Sequence, residues 1–196
     1  PVWVAVDADR VLLAKYKYPQ SKETYVQQYL LSNRYENRFE ALKNLRNQQE
    51  DMPEAVRIFE RALNDPFWKL REKAIDDIQL TAANKLVVEK IKVLAQKDPR
   101  SQVRAAAIEK LGGLEDAALL KIAKEAIEKD ASFLVIAAAL GSINENNAAE
   151  GLEYDEWFRV LQGVRHQYRG SDKGYHKLYD WTALNPTQTD AQLKQI

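Results

Sequence analysis

A tandem repeat of about 33 residues constrains this chain more than any other feature. Ser32, Asp65, Asp98 and Asp130 stand 33, 33 and 32 residues apart. Nine positions after each come Ala41, Ala74, Ala107 and Ala139; ten after, Leu42, Ile75, Ile108 and Leu140; thirteen after, Leu45, Ile78, Leu111 and Ile143. Six positions after the first three stand Arg38, Arg71 and Arg104, and Ile136 breaks this column in the fourth copy. Self-similarity at such a period marks a chain of stacked supersecondary units, none of which can bury its apolar face alone.

The columns point to helices. Positions five, nine, ten and thirteen after each repeat start fall on one stripe of a 3.6-residue helix. Asp65-Pro66 and Asp98-Pro99 read as helix starts, because Asp accepts from a free backbone N–H and Pro suits the first turn; Ser32 and Asp130 can cap in the same way. The small Ala column lets a neighbouring helix approach closely. Upstream of the later copies, residues 54–63, 84–97 and 115–129 form further amphipathic stretches, so each unit is a helix pair and the pairs stack into a solenoid.

The flanks differ. Residues 2–6 and 11–14, around the polar Asp7-Ala8-Asp9-Arg10, read as two strands and a turn. A lone hairpin is marginal in water, so this segment reads as the remnant of a β-domain, and the start Pro1-Val2-Trp3 as that of a cut or processed piece. After 144–147 the register is lost. Residues 153–164 read as a helix, 169–174 as a loop, and 175–184 as a short helix stopped by Asn185-Pro186. Seven of the 18 aromatics lie between Tyr154 and Trp181, as expected of a segment that caps a solenoid. The expected organisation is a β-remnant over 1–18, helical repeats over 19–146 and an aromatic-rich helical cap over 147–196.

The pattern Asp-Pro-x-x-x-Val-Arg-x-x-Ala-x-x-x-Leu of residues 98–111 resembles the second helix of a HEAT-like repeat. Residues 65–78 follow it, with Leu70 and Arg71 in the Val and Arg places. The resemblance covers about residues 32–143 and implies an all-α fold, a HEAT-like α-α superhelix, here with a short N-terminal β-hairpin remnant. It also implies that the cap positions Ser32, Asp65, Asp98 and Asp130 and the Arg column Arg38, Arg71 and Arg104 are structural, bonding across neighbouring repeats. A narrower resemblance rests on Val6-Asp7-Ala8-Asp9-Arg10-Val11-Leu12-Leu13-Ala14, then Tyr25-Val26-Gln27-Gln28-Tyr29, Arg38-x-Glu40-Ala41-Leu42 and Asp65-Pro66-Phe67-Trp68. In order and spacing these are similar to the C-terminal region of bacterial aminopeptidase-N-type zinc metallopeptidases. That resemblance implies a non-catalytic module that packs on its own upstream catalytic domain and restricts access of peptide substrates to an enclosed chamber. The zinc would belong to the missing catalytic domain alone, because His-Glu-x-x-His and the Gly-rich amine-recognition loop are absent here.

The residues offer no chemistry of their own. With no Cys, thiol nucleophiles, disulfides and Cys-ligated metals are excluded. His166 and His176 are ten apart and neither is followed by Glu, so they cannot form a zincin helix and read as surface imidazoles. Asp7-x-Asp9 sits at a turn that favours Asp for local bonds; Asp76-Asp77 and Glu115-Asp116 read as diverging, solvated pairs. Gly112-Gly113 reads as a helix C-cap, and Glu125 with Lys129 as a surface pair four apart. No serine lies in a nucleophile elbow. Catalytic, cofactor and metal residues are therefore expected to be none.

Partners are narrowed by charge. Twenty-nine Lys+Arg balance 29 Asp+Glu, unlike a dedicated nucleic-acid binder. Arg159, Arg165, Arg169, Lys173 and Lys177 lie among Tyr168, Tyr175 and Tyr179, a mixture that can track a nucleic-acid backbone, but Glu153, Asp155, Glu156, Asp172 and Asp180 dilute it. No apolar run is long enough to span a membrane. Two alternatives to the peptidase module stand: a HEAT-like scaffold that binds a partner protein, and, less favoured, a HEAT-like DNA glycosylase-type enzyme.

Overall fold

A computed structural model describes residues 20–80, 85–114 and 117–145. Eight α-helices occupy them in order: α1 Lys22–Leu31, α2 Tyr35–Leu45, α3 Pro53–Ala62, α4 Trp68–Asp77, α5 Lys85–Lys97, α6 Ser101–Gly112, α7 Ala117–Lys129 and α8 Phe133–Glu145. A single 3-10 turn, Arg46–Gln48, follows α2. The expected β-hairpin over 2–14, both histidines, and the expected cap over 147–196 lie outside the described residues. No helix among the described residues is long and apolar enough to cross a membrane.

The chain divides into two compact units, residues 1–90 and 91–196, with the division inside α5. In the first unit α1 packs on α2 and α3 on α4; α2 also meets α4, and α1 meets α3. Two helix pairs are thus stacked first helix on first and second on second. In the second unit α8 packs on α7 and on α6, and α6 also touches α7.

The repeat columns are the core. Ala41, Leu42 and Leu45 on α2, Leu70, Ala74 and Ile75 on α4, Val103, Ala107, Ile108 and Leu111 on α6, and Val135, Ala139 and Leu140 on α8 are all buried, as is Ile78 just past α4. The first helices contribute Ile58, Phe59 and Ala62 from α3 and Leu119, Ile122 and Ala123 from α7. One column member is polar. Asn37 stands where the other copies have Leu70, Val103 and Val135, and it is nevertheless buried. Its Nδ2 donates to Ser32 Oγ at 3.1 Å, and its main-chain carbonyl accepts from the buried Gln28 Nε2 at 2.8 Å. Burial of an amide is tolerated when its hydrogen bonds are made.

The helix starts differ from the sequence expectation by a constant three residues. Asp65 Oδ1 accepts from Phe67 N at 2.9 Å, Asp98 Oδ1 from Arg100 N at 2.9 Å, and Asp130 Oδ1 from Ser132 N at 2.8 Å. Ser32 Oγ accepts from Arg34 N at 3.2 Å. These are turns closed two residues on, a use of Asp and Ser that competes with capping. The helices begin three residues after each, at Tyr35, Trp68, Ser101 and Phe133. Pro66 and Pro99 therefore sit at the second position of a turn, where their fixed φ also fits, and not in the first turn of a helix.

Gly113 is the C-cap residue of α6, as the sequence suggests, but without the left-handed conformation that usually selects glycine there. Gly112 is the last residue of α6, and Gly113 follows with φ −73° and ψ −1°, in the right-handed region. What Gly112 provides is space. A Cβ there would lie 2.9 Å from Ser142 Oγ and 3.0 Å from Ser142 Cβ on α8, closer than side chains tolerate. Ser142 Oγ meanwhile donates to Ala138 O at 2.8 Å and Ile108 O at 3.3 Å, joining α8 to α6. Gly112→Ala would gain up to about 1 kcal/mol of helix propensity against roughly 2 kcal/mol of overpacking. The variant should be less stable by about 1 kcal/mol, and a higher melting temperature would refute this account of the contact.

Candidate interaction surface

The Arg column does two jobs from one side chain. Arg104 Nη1 donates to Asp98 O at 2.8 Å, holding the turn of its own copy. Its Nε and Nη2 donate to Asp130 Oδ2 and Oδ1 at 2.7 and 2.8 Å, a bidentate grip on the turn of the next copy. Fork-to-fork pairing of this kind is both strong and directional. In the first unit Arg71 Nη1 bonds Asp65 O at 2.8 Å within its own copy, and Arg38 Nη1 reaches forward to Asp65 Oδ2 at 2.6 Å. Asp130 lifts the pKa of the Arg104 guanidinium further above its already high value. Asp65, Asp98 and Asp130 thus lie in the turns, and Arg38, Arg71 and Arg104 on the helices that follow their own turns, all of them engaged in internal bonds.

Tyr29 joins this system from α1. Its buried hydroxyl donates to Asp65 Oδ2 at 2.9 Å. Burial, then the negative charge of Asp65, hold the phenol well above its ordinary pKa. The folded state therefore keeps a proton that the unfolded chain releases near pH 10. Below that pH the contribution is fully present; as pH rises through it toward the higher folded value, the unfolded state binds fewer protons and stability falls. Urea midpoints measured from pH 8 to 11 should decline at the alkaline end, and less steeply in Tyr29→Phe; equal slopes would refute this assignment.

Two buried polar side chains close the first unit and occur in one copy only. Gln49 Nε2 donates to Arg46 O and Asp77 O at 2.9 and 2.8 Å, and its Oε1 accepts from Gln79 N at 2.9 Å, tying down the end of α4. Gln28 also reaches Glu40 Oε2 at 3.1 Å. Asp77 overturns the expectation of a solvated pair: it is buried, with Lys73 Nζ at 2.6 Å and Arg46 Nε at 3.4 Å. Asp76 beside it is exposed, so one helical step of 100° separates core from solvent. Lys129 and Glu125 pair on the surface at 3.4 Å.

The described surface carries one aromatic cluster. Tyr35 and Phe39 on α2 meet Phe67 and Trp68 at the start of α4, with ring centroids 4.7 Å apart for Tyr35–Phe67, 5.5 Å for Tyr35–Phe39 and 6.2 Å for Phe67–Trp68. All are tilted, as aromatic quadrupoles prefer. Lys69 Nζ lies 5.4 Å from the Trp68 ring centroid and Lys73 Nζ 5.7 Å from that of Phe39. Phe67 remains 40 % exposed and the other three rings are half-buried. Sequence reading missed this cluster because its members lie outside the repeated columns.

Among the described residues no group of three or more His, Asp or Glu is placed to hold a metal ion. Asp7-x-Asp9, Glu115-Asp116 and the basic-aromatic stretch from Arg159 to Tyr179 fall outside the described residues.

The family model of HEAT repeats matches residues 55–144. These repeats form a HEAT-like domain. The match runs from the third residue of α3 to the last but one of α8, and it includes Arg71 and Arg104 with their turns. A comparison with curated proteins finds no match.

Proposed function

We propose that this chain is a non-catalytic HEAT-repeat scaffold whose surface binds a partner protein. The match to HEAT repeats over 55–144 carries the reading, because repeats of this kind stack into extended binding surfaces and are typically non-catalytic. The polar groups of the repeats support it: the Arg and Asp columns, Gln49 and Asp77 are spent on joining helices, while the aromatic cluster is left facing solvent. Fold does not fix function, so the reading is tested by finding the partner.

The narrower reading, a helical module beside the catalytic domain of a zinc aminopeptidase, keeps only the support of the short segments that resemble that family; a HEAT-repeat match suits both. One experiment separates them. The full chain is cross-linked in its cells of origin, the captured protein is identified, and the complex is reassembled from purified components and assayed for peptide hydrolysis with and without zinc. A stoichiometric complex with a separate protein, without hydrolysis by the chain itself, is expected. Peptidase activity that follows the purified chain, or the absence of any reassembling partner, would overturn the scaffold reading.

A further inference from the structure

The aromatic cluster of the first unit presents a charge that its composition hides. Both of its lysines have carboxylate partners, Glu72 for Lys69 and Asp77 for Lys73. In each pair, however, the cation is the outer member. The Lys69 side chain is 42 % exposed against 18 % for Glu72, and that of Lys73 is 20 % exposed against 4 % for Asp77. What meets solvent is an apolar surface of Phe67 and Tyr35 with two ammonium groups along it, each set over an aromatic ring. Glu36, exposed on the first turn of α2, acts on Tyr35 with the opposite sign to Lys69. Half-exposed aromatics rimmed by cations are what a buried anchor with a charged surround requires at a protein interface.

Resting on the scaffold reading, we propose that this patch docks an acidic segment of the partner protein, one with an aromatic or aliphatic anchor side chain flanked by Asp or Glu. The anchor seats against Phe67 and Tyr35, where it removes apolar area from water on both partners. The flanking carboxylates lie toward Lys69 and Lys73, each the more exposed member of its pair. Since the half-buried Glu72 and the buried Asp77 already hold the lysine chains, little side-chain freedom is lost on binding. The segment is therefore read by its charge as well as by its anchor.

The test uses the full chain and labelled synthetic peptides followed by fluorescence anisotropy: a Phe or Leu anchor flanked by Asp and Glu, the same peptide with Lys in their place, and a single-stranded oligonucleotide. The acidic peptide should bind and weaken as salt is raised. Lys69→Glu and Phe67→Ala should each lower its affinity about tenfold. Circular dichroism confirms that both variants fold, and Lys69→Gln, expected to lose less than Lys69→Glu, serves as the milder variant. Equal binding of the Lys peptide, preference for the oligonucleotide, no acidic-peptide binding, or unchanged affinity in the variants would overturn the proposal. If the partner recovered by cross-linking binds Phe67→Ala and Lys69→Glu undiminished, the patch is wrong and the scaffold stands; if no partner exists, the scaffold reading itself falls.

Discussion

Asp65→Ala is expected to destabilise the first unit by about 4 kcal/mol, as removal of one partner from a buried ion pair does. The Asp65 carboxylate is buried, and three groups from three places in the chain converge on it. They are Arg38 Nη1 at 2.6 Å, Tyr29 Oη at 2.9 Å and the Phe67 amide at 2.9 Å. Alanine leaves a largely buried guanidinium without its counter-charge and a buried phenol without an acceptor, and both desolvation penalties then go uncompensated. Asp65→Asn separates charge from geometry. Asn closes the same kind of turn and still accepts from Phe67 N, so its cost should be smaller, about 2 kcal/mol. Urea unfolding followed by circular dichroism reads both. A loss below about 1 kcal/mol for Asp65→Ala would mean that this junction contributes no more than an exposed ion pair.

The second large effect is steric. Ala107→Leu should cost about 3 kcal/mol, the upper end for added carbons in a well-packed core. Ala41, Ala74, Ala107 and Ala139 have no exposed surface at all, and in the same unit the Gly112–Ser142 contact shows how closely α6 and α8 approach. A larger side chain at 107 must displace a helix or leave its preferred rotamer. Leu86 supplies the contrast: it is 88 % exposed, and Leu86→Ala should change stability by no more than about 0.5 kcal/mol. Thermal unfolding of both variants checks the difference, and comparable melting temperatures would refute the steric account.

The helical repeat was legible because its physics is written four times. Ala41 alone says nothing, but four alanines nine residues past four turn-forming residues describe a close helix contact. The three-residue error in helix starts has a definite cause, since Asp followed by Pro suits both a cap and a turn that precedes the helix. Only the bond from Asp65 to the Phe67 amide distinguishes them. Gln28, Asn37 and Gln49 could not be found in advance, because each occurs once and bonds to the Asn37 carbonyl, the Ser32 hydroxyl and the Asp77 carbonyl, 9, 5 and 28 residues away. Asp77 was misplaced because adjacency to Asp76 is silent on which of two neighbouring helical positions faces inward. The aromatic cluster escaped notice for a related reason: Tyr35 and Phe67 are brought together only when α2 and α4 stack.

The forward reach of arginine also sets a rule for growth of the array. Arg38 addresses the carboxylate of the copy that follows it, and so does Arg104. The fourth copy carries Ile136 at that place, buried at 8 % exposure, and so has no guanidinium to offer a fifth. Duplication of one period immediately after α8 would therefore yield a junction without the forward arginine latch that Arg38 and Arg104 supply to the copies after them. Converting Ile136 to Arg should stabilise such a lengthened chain while harming the present one, so that a single codon separates a terminated series from an extensible one.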